Sequence, residues 1–215
     1  MHIQTFYFNP FRECTYLLSD DKGYTIIIDC GAYTTTEQYR LQEYIEKRQL
    51  TIAAHLLTHA HLDHCFGAKF IYKAYNVLPQ LSPADDCLFS NLQQQSIAFG
   101  CPLEDTPIAH YIPLDSSVQI GDFQIEVLPT PGHTPGGASF YIKPNPSNNQ
   151  PPILFSGDTL FQGGIGRTDL PGGNYATLLR SLREQIMPLP NETIVYPGHG
   201  YSTTIGEEKQ SNPYL

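Results

Sequence analysis

The chain has 215 residues, 40% of them hydrophobic, and a formal net charge of -9 from 12 Lys and Arg against 21 Asp and Glu. That length suits one large domain, residues 1–215, with a sizeable core, and an acidic balance without a basic stripe argues against a nucleic-acid surface. Apolar runs of only a handful of residues exclude a bilayer span, and Met1-His2-Ile3-Gln4 lacks a secretory pattern; five scattered cysteines without a C-x-x-C pair fit reduced thiols in the cytoplasm.

From the N-terminus, residues 3–8, 15–18 and 24–28 read as strands, and Asp20-Asp21-Lys22-Gly23 as the tight turn of a hairpin. The third strand ends at Asp29-Cys30-Gly31. Asp29 is either a metal ligand or, in the commoner role of an Asp at a strand end, the residue that ties down the following turn. Thr34-x-x-Glu37 is a capping box, and Tyr39, Leu41, Tyr44 and Ile45 recur at helical spacing to about Arg48. Residues 52–57 are a continuous apolar strand of the kind buried on both faces. A helix is expected from Asp63-His64 to Tyr75, so that free N–H groups at its start would favour an anion. Residues 78–81 are a short strand. Ser82-Pro83 then opens a helix running to about Phe99, and residues 101–113 form an irregular connection.

Residues 118–120 and 123–128 alternate as a second hairpin around Gly121-Asp122, and residues 138–142 follow the loop Pro131 to Gly137 as a strand. Residues 143–152, rich in Pro and Asn, read as a surface loop. A strand at 153–155 leads into Ser156-Gly157-Asp158-Thr159 and a glycine-rich loop through Gly173. Residues 175–187 are helical, with Leu178, Leu179, Leu182 and Ile186 on one face. A last strand at 193–196 ends in Pro197-Gly198-His199-Gly200, and the remaining tail has room for one short helix.

The chemistry gathers at Thr58-His59-Ala60-His61-Leu62-Asp63-His64, where three imidazoles and a carboxylate arrive within six positions. These are the ligands that a borderline divalent cation prefers. His133, Asp158 and His199 each lie just past a strand, the two histidines in Pro-Gly-His turns whose glycine lets backbone approach an ion. His2, His55 and His110 lack such a context and are read as structural. His59, His61 and His133 can hold one ion, and Asp63, His64 and His199 a second, with Asp158 bridging both. Two ions about 3.5–4 Å apart would share a water, lower its pKa and polarise a carbonyl.

Those residues resemble the metallo-β-lactamase superfamily, and within it short bacterial hydrolases of the glyoxalase II (hydroxyacylglutathione hydrolase) type. The resemblance rests on Thr58 to His64, Pro131-Gly132-His133-Thr134-Pro135-Gly136, Gly157-Asp158-Thr159-Leu160-Phe161 and Pro197-Gly198-His199-Gly200. It implies an α/β fold, a four-layer αββα sandwich, without the separate C-terminal glutathione-binding region of the long enzymes. It further implies two divalent ions, zinc foremost with iron or manganese as alternatives, and cleavage of a small thioester such as S-lactoylglutathione by a metal-bridging hydroxide. Asp63 and Asp158 would orient and deprotonate the water. Arg167 would either grip a substrate carboxylate or pair with Asp169. A mononuclear iron persulfide dioxygenase using His59, His133 and Asp158, and a lactonase, resemble the same pattern. A β-lactamase of the commonest kind would put Cys at Asp158, and a non-catalytic relative would lack ligands that are all present here.

Overall fold

β-Branched and aromatic runs build the first sheet. β1 (His2–Phe8), β2 (Glu13–Ser19) and β3 (Tyr24–Ile28) pair antiparallel in succession. β4 (Thr51–Leu56), β5 (Pro79–Leu81) and β6 (Ile112–Pro113) extend the sheet in parallel, in the order β1-β2-β3-β4-β5-β6. The computed structural model describes residues 1–103, 108, 110–121, 123–143 and 150–215. This sheet belongs to the first of two units, Met1–Leu114 with Ile120–Asp122; the second is Asp115–Gln119 with Phe123–Leu215.

In the first unit α1 (Thr35–Lys47) starts on the expected capping box. The Thr34 hydroxyl accepts the Glu37 N–H at 3.2 Å, and the Glu37 carboxylate accepts the Thr34 N–H at 2.9 Å. α2 (Leu62–Cys65) and α3 (Ala68–Tyr75) follow β4. Leu41 and Ile45 of α1 and Ile71 of α3 pack with Phe6, Phe8, Leu17, Ile27 and Ile52 of the sheet. α4 (Asp86–Ser90) and α5 (Leu92–Ala98) place Phe89 and Leu92 against Leu57, Leu62, Phe66 and Leu81 in a second apolar cluster.

The second unit holds β7 (Ser117–Ile120) as far as Gln119, β8 (Phe123–Pro129), β9 (Ala138–Ile142) and β10 (Ile153–Gly157), then the small hairpin β11 (Leu160–Phe161) and β12 (Gly164–Ile165). α6 (Tyr175–Ser181), β13 (Ile194–Pro197), β14 (Thr203–Thr204) and α7 (Ile205–Ser211) complete it. Its sheet runs β14-β13-β10-β9-β8-β7, with β10 and β13 parallel. Leu178, Leu182, Ile186 and Ile205 cover Leu128, Tyr141, Leu154 and Val195. Among the described residues no helix is long and apolar enough to cross a membrane.

Two expected helices are interrupted, and a third is continuous but changes its winding. The one expected over 63–75 breaks at Phe66-Gly67, because the Gly67 N–H bonds to the Cys30 carbonyl at 2.8 Å and a Cβ at Gly67 would strike the Cys30 sulfur. α2 is therefore a single turn, and its Leu62 N–H is occupied by Gln95 Oε1 at 3.0 Å rather than held open for an anion. The helix expected over 82–99 splits at Asn91, whose side chain turns back to the Cys87 carbonyl at 2.7 Å. Ser82 makes no side-chain cap there. Residues 175–187 run as α6 and then as a wider π-type turn, Leu182–Ile186, that keeps both Leu182 and Ile186 buried. The glycine-rich loop contains the β11–β12 hairpin, and β14 precedes the short tail helix. Residues 104–107 and 109 of the expected 101–113 connection, Asp122 of the second turn, and 144–149 of the expected surface loop lie outside the described residues.

Candidate metal centre

In the first unit, four sequence-identified residues stand on the segment that leaves β4. His59, His61 and His64 are buried, with the His59 ring centroid 4.1 Å from that of His64 and 4.8 Å from that of His61. Asp63 Oδ2 lies 3.7 Å from His64 Nε2. The backbone carrying them is pinned from several directions. Gln95 takes the Leu62 N–H and donates to the Ala60 carbonyl at 3.1 Å. Asp85, fully buried, accepts the Ala60 N–H at 3.0 Å, and Asn9 Nδ2 donates to the Asp63 carbonyl at 3.0 Å. Gly31 is required here, since a Cβ would collide with Glu13 Oε2, Asn9 Nδ2 and the Asp63 carbonyl.

Behind the imidazoles Asp29 sets the tautomers. Its carboxylate ties down the Thr58 turn and also reaches His64. Its Oδ1 accepts the Thr58 N–H at 2.7 Å, and its Oδ2 accepts both the Thr58 hydroxyl at 2.8 Å and His64 Nδ1 at 2.9 Å. A carboxylate only accepts, so His64 carries its proton on Nδ1 and keeps its Nε2 lone pair. The Thr58 hydroxyl has given its one hydrogen to Asp29, so His59 Nδ1, 3.0 Å away, must donate to the hydroxyl oxygen. His59 Nε2 is left as a lone pair too. Glu13 lies in the same neighbourhood, where Glu13, Asp29 and His64 bring ligand atoms within 4.8 Å of one another. Burial pushes the Glu13 carboxyl well above the usual carboxylate range, with His64 pulling it back.

In the second unit, Asp158 Oδ2 lies 3.5 Å from His133 Nε2 and 3.6 Å from His199 Nε2. His133 Nδ1 donates to the Arg167 main-chain carbonyl at 2.7 Å, which again turns the Nε2 lone pair toward the carboxylate side. Two glycines allow this approach. A Cβ at Gly166 would strike the Asp158 backbone oxygen, and one at Gly132, where φ is +137°, would strike the start of Leu178. The Gly198 N–H bonds to the Gly157 carbonyl at 2.8 Å, which fixes the His199 turn beside the Asp158 turn. The Arg167 guanidinium forks onto Asp169 with two bonds of 2.7 Å, drawing that carboxyl down to about 2, while Nη1 and one hydrogen of Nη2 remain for other acceptors.

Each unit thus assembles its share of the expected ligands, and imidazole nitrogens with carboxylate oxygens fit zinc or ferrous iron better than magnesium. His2 and His110 are exposed and His55 is fully buried, all outside both ligand groups. The orienting partners Asp29 and the Arg167 carbonyl, and the pinning residues Asn9, Asp85 and Gln95, carry no local motif. Only Asp29 stood out in the sequence, and in other roles.

Residues 10–199 match the metallo-β-lactamase superfamily model, a span that includes residues of both units. Hydroxyacylglutathione hydrolase GloC of Haemophilus influenzae is 38% identical over 218 residues, covering 100% of this chain and 98% of that protein. The crystal structure of BLEG-1 B3 metallo-beta-lactamase is similar with a TM-score of 0.83 and 35% identity, covering 100% of this chain and 99% of that one. That of TTHA1623 in a di-iron-bound form gives 0.83 and 35%, covering 100% of both chains. With the ligand motifs in order and the fold matched along its length, the chain belongs to the metallo-β-lactamase superfamily and is a metal-binding hydrolase of that α/β fold.

Proposed function

We propose that the protein hydrolyses a small thioester of the S-lactoylglutathione class, with both units serving as one catalytic domain in the cytoplasm. The observation that carries this reading is the 38% identity to hydroxyacylglutathione hydrolase GloC over nearly the full length of both proteins. The donor set supports it. His59, His61 and His133 would hold one divalent ion, Asp63, His64 and His199 a second, and Asp158 would bridge them. Bound ions of this kind supply Lewis acidity toward a thioester carbonyl and lower the pKa of a coordinated water. Asp63 and Asp158 are placed among the ligand residues as the carboxylates that would orient such a water and take its proton. Asp29 and the Arg167 carbonyl keep His64 and His133 in the ligating tautomer. The outer N–H groups of Arg167 bind a substrate carboxylate.

The metal is proposed to be zinc, with iron as the alternative that the di-iron form of TTHA1623 favours. The similarity to BLEG-1 favours a second reading, hydrolysis of a β-lactam. Purified protein, assayed for bound metal and then offered S-lactoylglutathione, other glutathione thioesters, a lactone, nitrocefin and a persulfide under oxygen monitoring, separates these. Thioester turnover with about two zinc per chain is the expected result. Thioesters left untouched at full metal occupancy would refute the proposal, and oxygen uptake with one iron would replace it by the dioxygenase. Asp63→Ala should abolish turnover; unchanged turnover would remove Asp63 from the machinery.

A further inference from the structure

α5 carries the run Gln93-Gln94-Gln95, in which Gln93 and Gln94 are exposed and Gln95 is half-buried. The Gln95 carboxamide bonds to main chain at three points. Its Oε1 accepts the Leu62 N–H at 3.0 Å, and its Nε2 donates to the Ala60 carbonyl at 3.1 Å and to the Leu88 carbonyl at 2.9 Å. Reversing the amide would set its NH₂ against the Leu62 N–H and its oxygen against two carbonyls, so these partners fix its orientation. The bonds to Ala60 and Leu62 close on the peptide groups either side of His61, which is extended there with φ -73° and ψ 148°.

We propose that Gln95 is the positioning residue for His61, aiming its imidazole through the main chain rather than through the ring. His61 stands at the N-cap of α2 and its side chain makes no cap bond, although a residue there commonly spends its side chain on the first N–H groups of its helix. The Leu62 N–H is met from α5 instead, so the ring is not drawn back onto α2. Asp85 Oδ2 holds the Ala60 N–H at 3.0 Å, and the bond to the Leu88 carbonyl ties the clamp to α4 as well. The torsions on both sides of the His61 Cα are thereby held, and they decide which side-chain rotamers the imidazole can adopt. Asp29 acts elsewhere, on the Thr58 turn and the His64 ring. The inference rests on the reading of His61 as a metal ligand and adds to it the residue that sets its direction.

Zinc affinity is measured by chelator competition in the parent, Gln95→Met, His61→Ala and the double variant. Gln95→Met keeps the reach of the side chain and removes all three bonds. It should weaken one zinc about tenfold, the low end for a partner behind a metal ligand because Gln95 works through the backbone, and leave the other at its parental affinity. In the His61→Ala background the same substitution should cost nothing further at that ion, since no ring is left to aim. Unchanged affinity in Gln95→Met, or an equal loss with and without His61, would overturn the proposal. Parental affinity for both ions in His61→Ala would overturn it too, by removing His61 from the ligands and failing the reading beneath it. One measurement needs no variant. A clamp that favours the ion is favoured by the ion by the same factor, so zinc loading should slow hydrogen exchange of the Gln95 side-chain NH₂ about tenfold in the parent. An unchanged rate there would also overturn the proposal.

Discussion

Replacing Asp29 separates orientation from stability, because its two neighbouring substitutions fail in different ways. Asp29→Ala removes the acceptor for the Thr58 N–H, the Thr58 hydroxyl and His64 Nδ1, three short bonds in a buried place. Each is worth about 1 kcal/mol net, and more if its donor stays buried and unmet. Asp29 also has φ +55°, where Ala costs about 1 kcal/mol more than a short polar residue. The sum is roughly 3–5 kcal/mol, a large share of a domain's stability. Asp29→Asn is the sharper test. Its amide oxygen still accepts the Thr58 N–H, while its NH₂ faces the Thr58 oxygen and His64 Nδ1. His64 must then accept at Nδ1, the Thr58 hydroxyl turns to donate to His59 Nδ1, and both imidazoles carry their hydrogen on Nε2. The fold survives within about 1 kcal/mol, since every bond is replaced, but metal affinity falls about 10- to 100-fold. Chelator competition measures the affinity, and nitrogen shifts of the imidazoles in metal-free protein report the tautomers. An Asp29→Asn protein that keeps parental metal affinity would refute the relay.

His55 sits fully buried in β4, neither ring nitrogen has a hydrogen-bond partner among the described residues, and burial lowers its pKa to about 3. The folded form thus binds fewer protons than the unfolded one, so this contribution is intact above about 6.5 and lost as pH falls toward 3. At pH 5 the loss is about 2 kcal/mol, so urea unfolding of the parent against His55→Leu should show the stability difference moving by about that much in the variant's favour between pH 7.5 and pH 5. Arg167→Ala removes the guanidinium but keeps the carbonyl that orients His133. Metal content should stay at the parental level while KM for a carboxylate-bearing thioester rises about tenfold, and a loss of metal would show the side chain to be structural. Gly31→Ala should destabilise by about 3 kcal/mol or more through its collisions with Glu13, Asn9 and Asp63, so an unchanged melting temperature would contradict the packing described.

Much of the fold was legible because local signals and tertiary packing agree. The capping box at Thr34 is worth reading because both of its bonds lie within four residues, and α1 begins where it says. The strands at 24–28 and 52–57 are apolar over a strand's length and nearly fully buried. The helix breaks were not legible. Gly67 falls inside the expected helix, and what interrupts the helix there is a carbonyl and a sulfur on Cys30, 37 residues away. Asn91 had an equally ordinary helical neighbourhood, and its break depends on a side-chain bond that competes with the helix ladder.

The candidate site divides along the same line. Its ligand residues could be picked out because each sits in its own readable context, a dense histidine run or a glycine turn at a strand end. What aims them could not, because the aiming partners lie 29 to 35 residues away and have unremarkable chemistry: a strand-end Asp and a main-chain carbonyl. The carbonyl is the more instructive case. Any residue at position 167 supplies it, so no side-chain pattern can mark it. What marks it is the glycine before it, Gly166, whose missing Cβ lets that stretch of chain run against Asp158 and under His133. It follows that position 167 can vary for substrate while His133 stays oriented, and that Gly166 is the position where substitution would be felt at the metal.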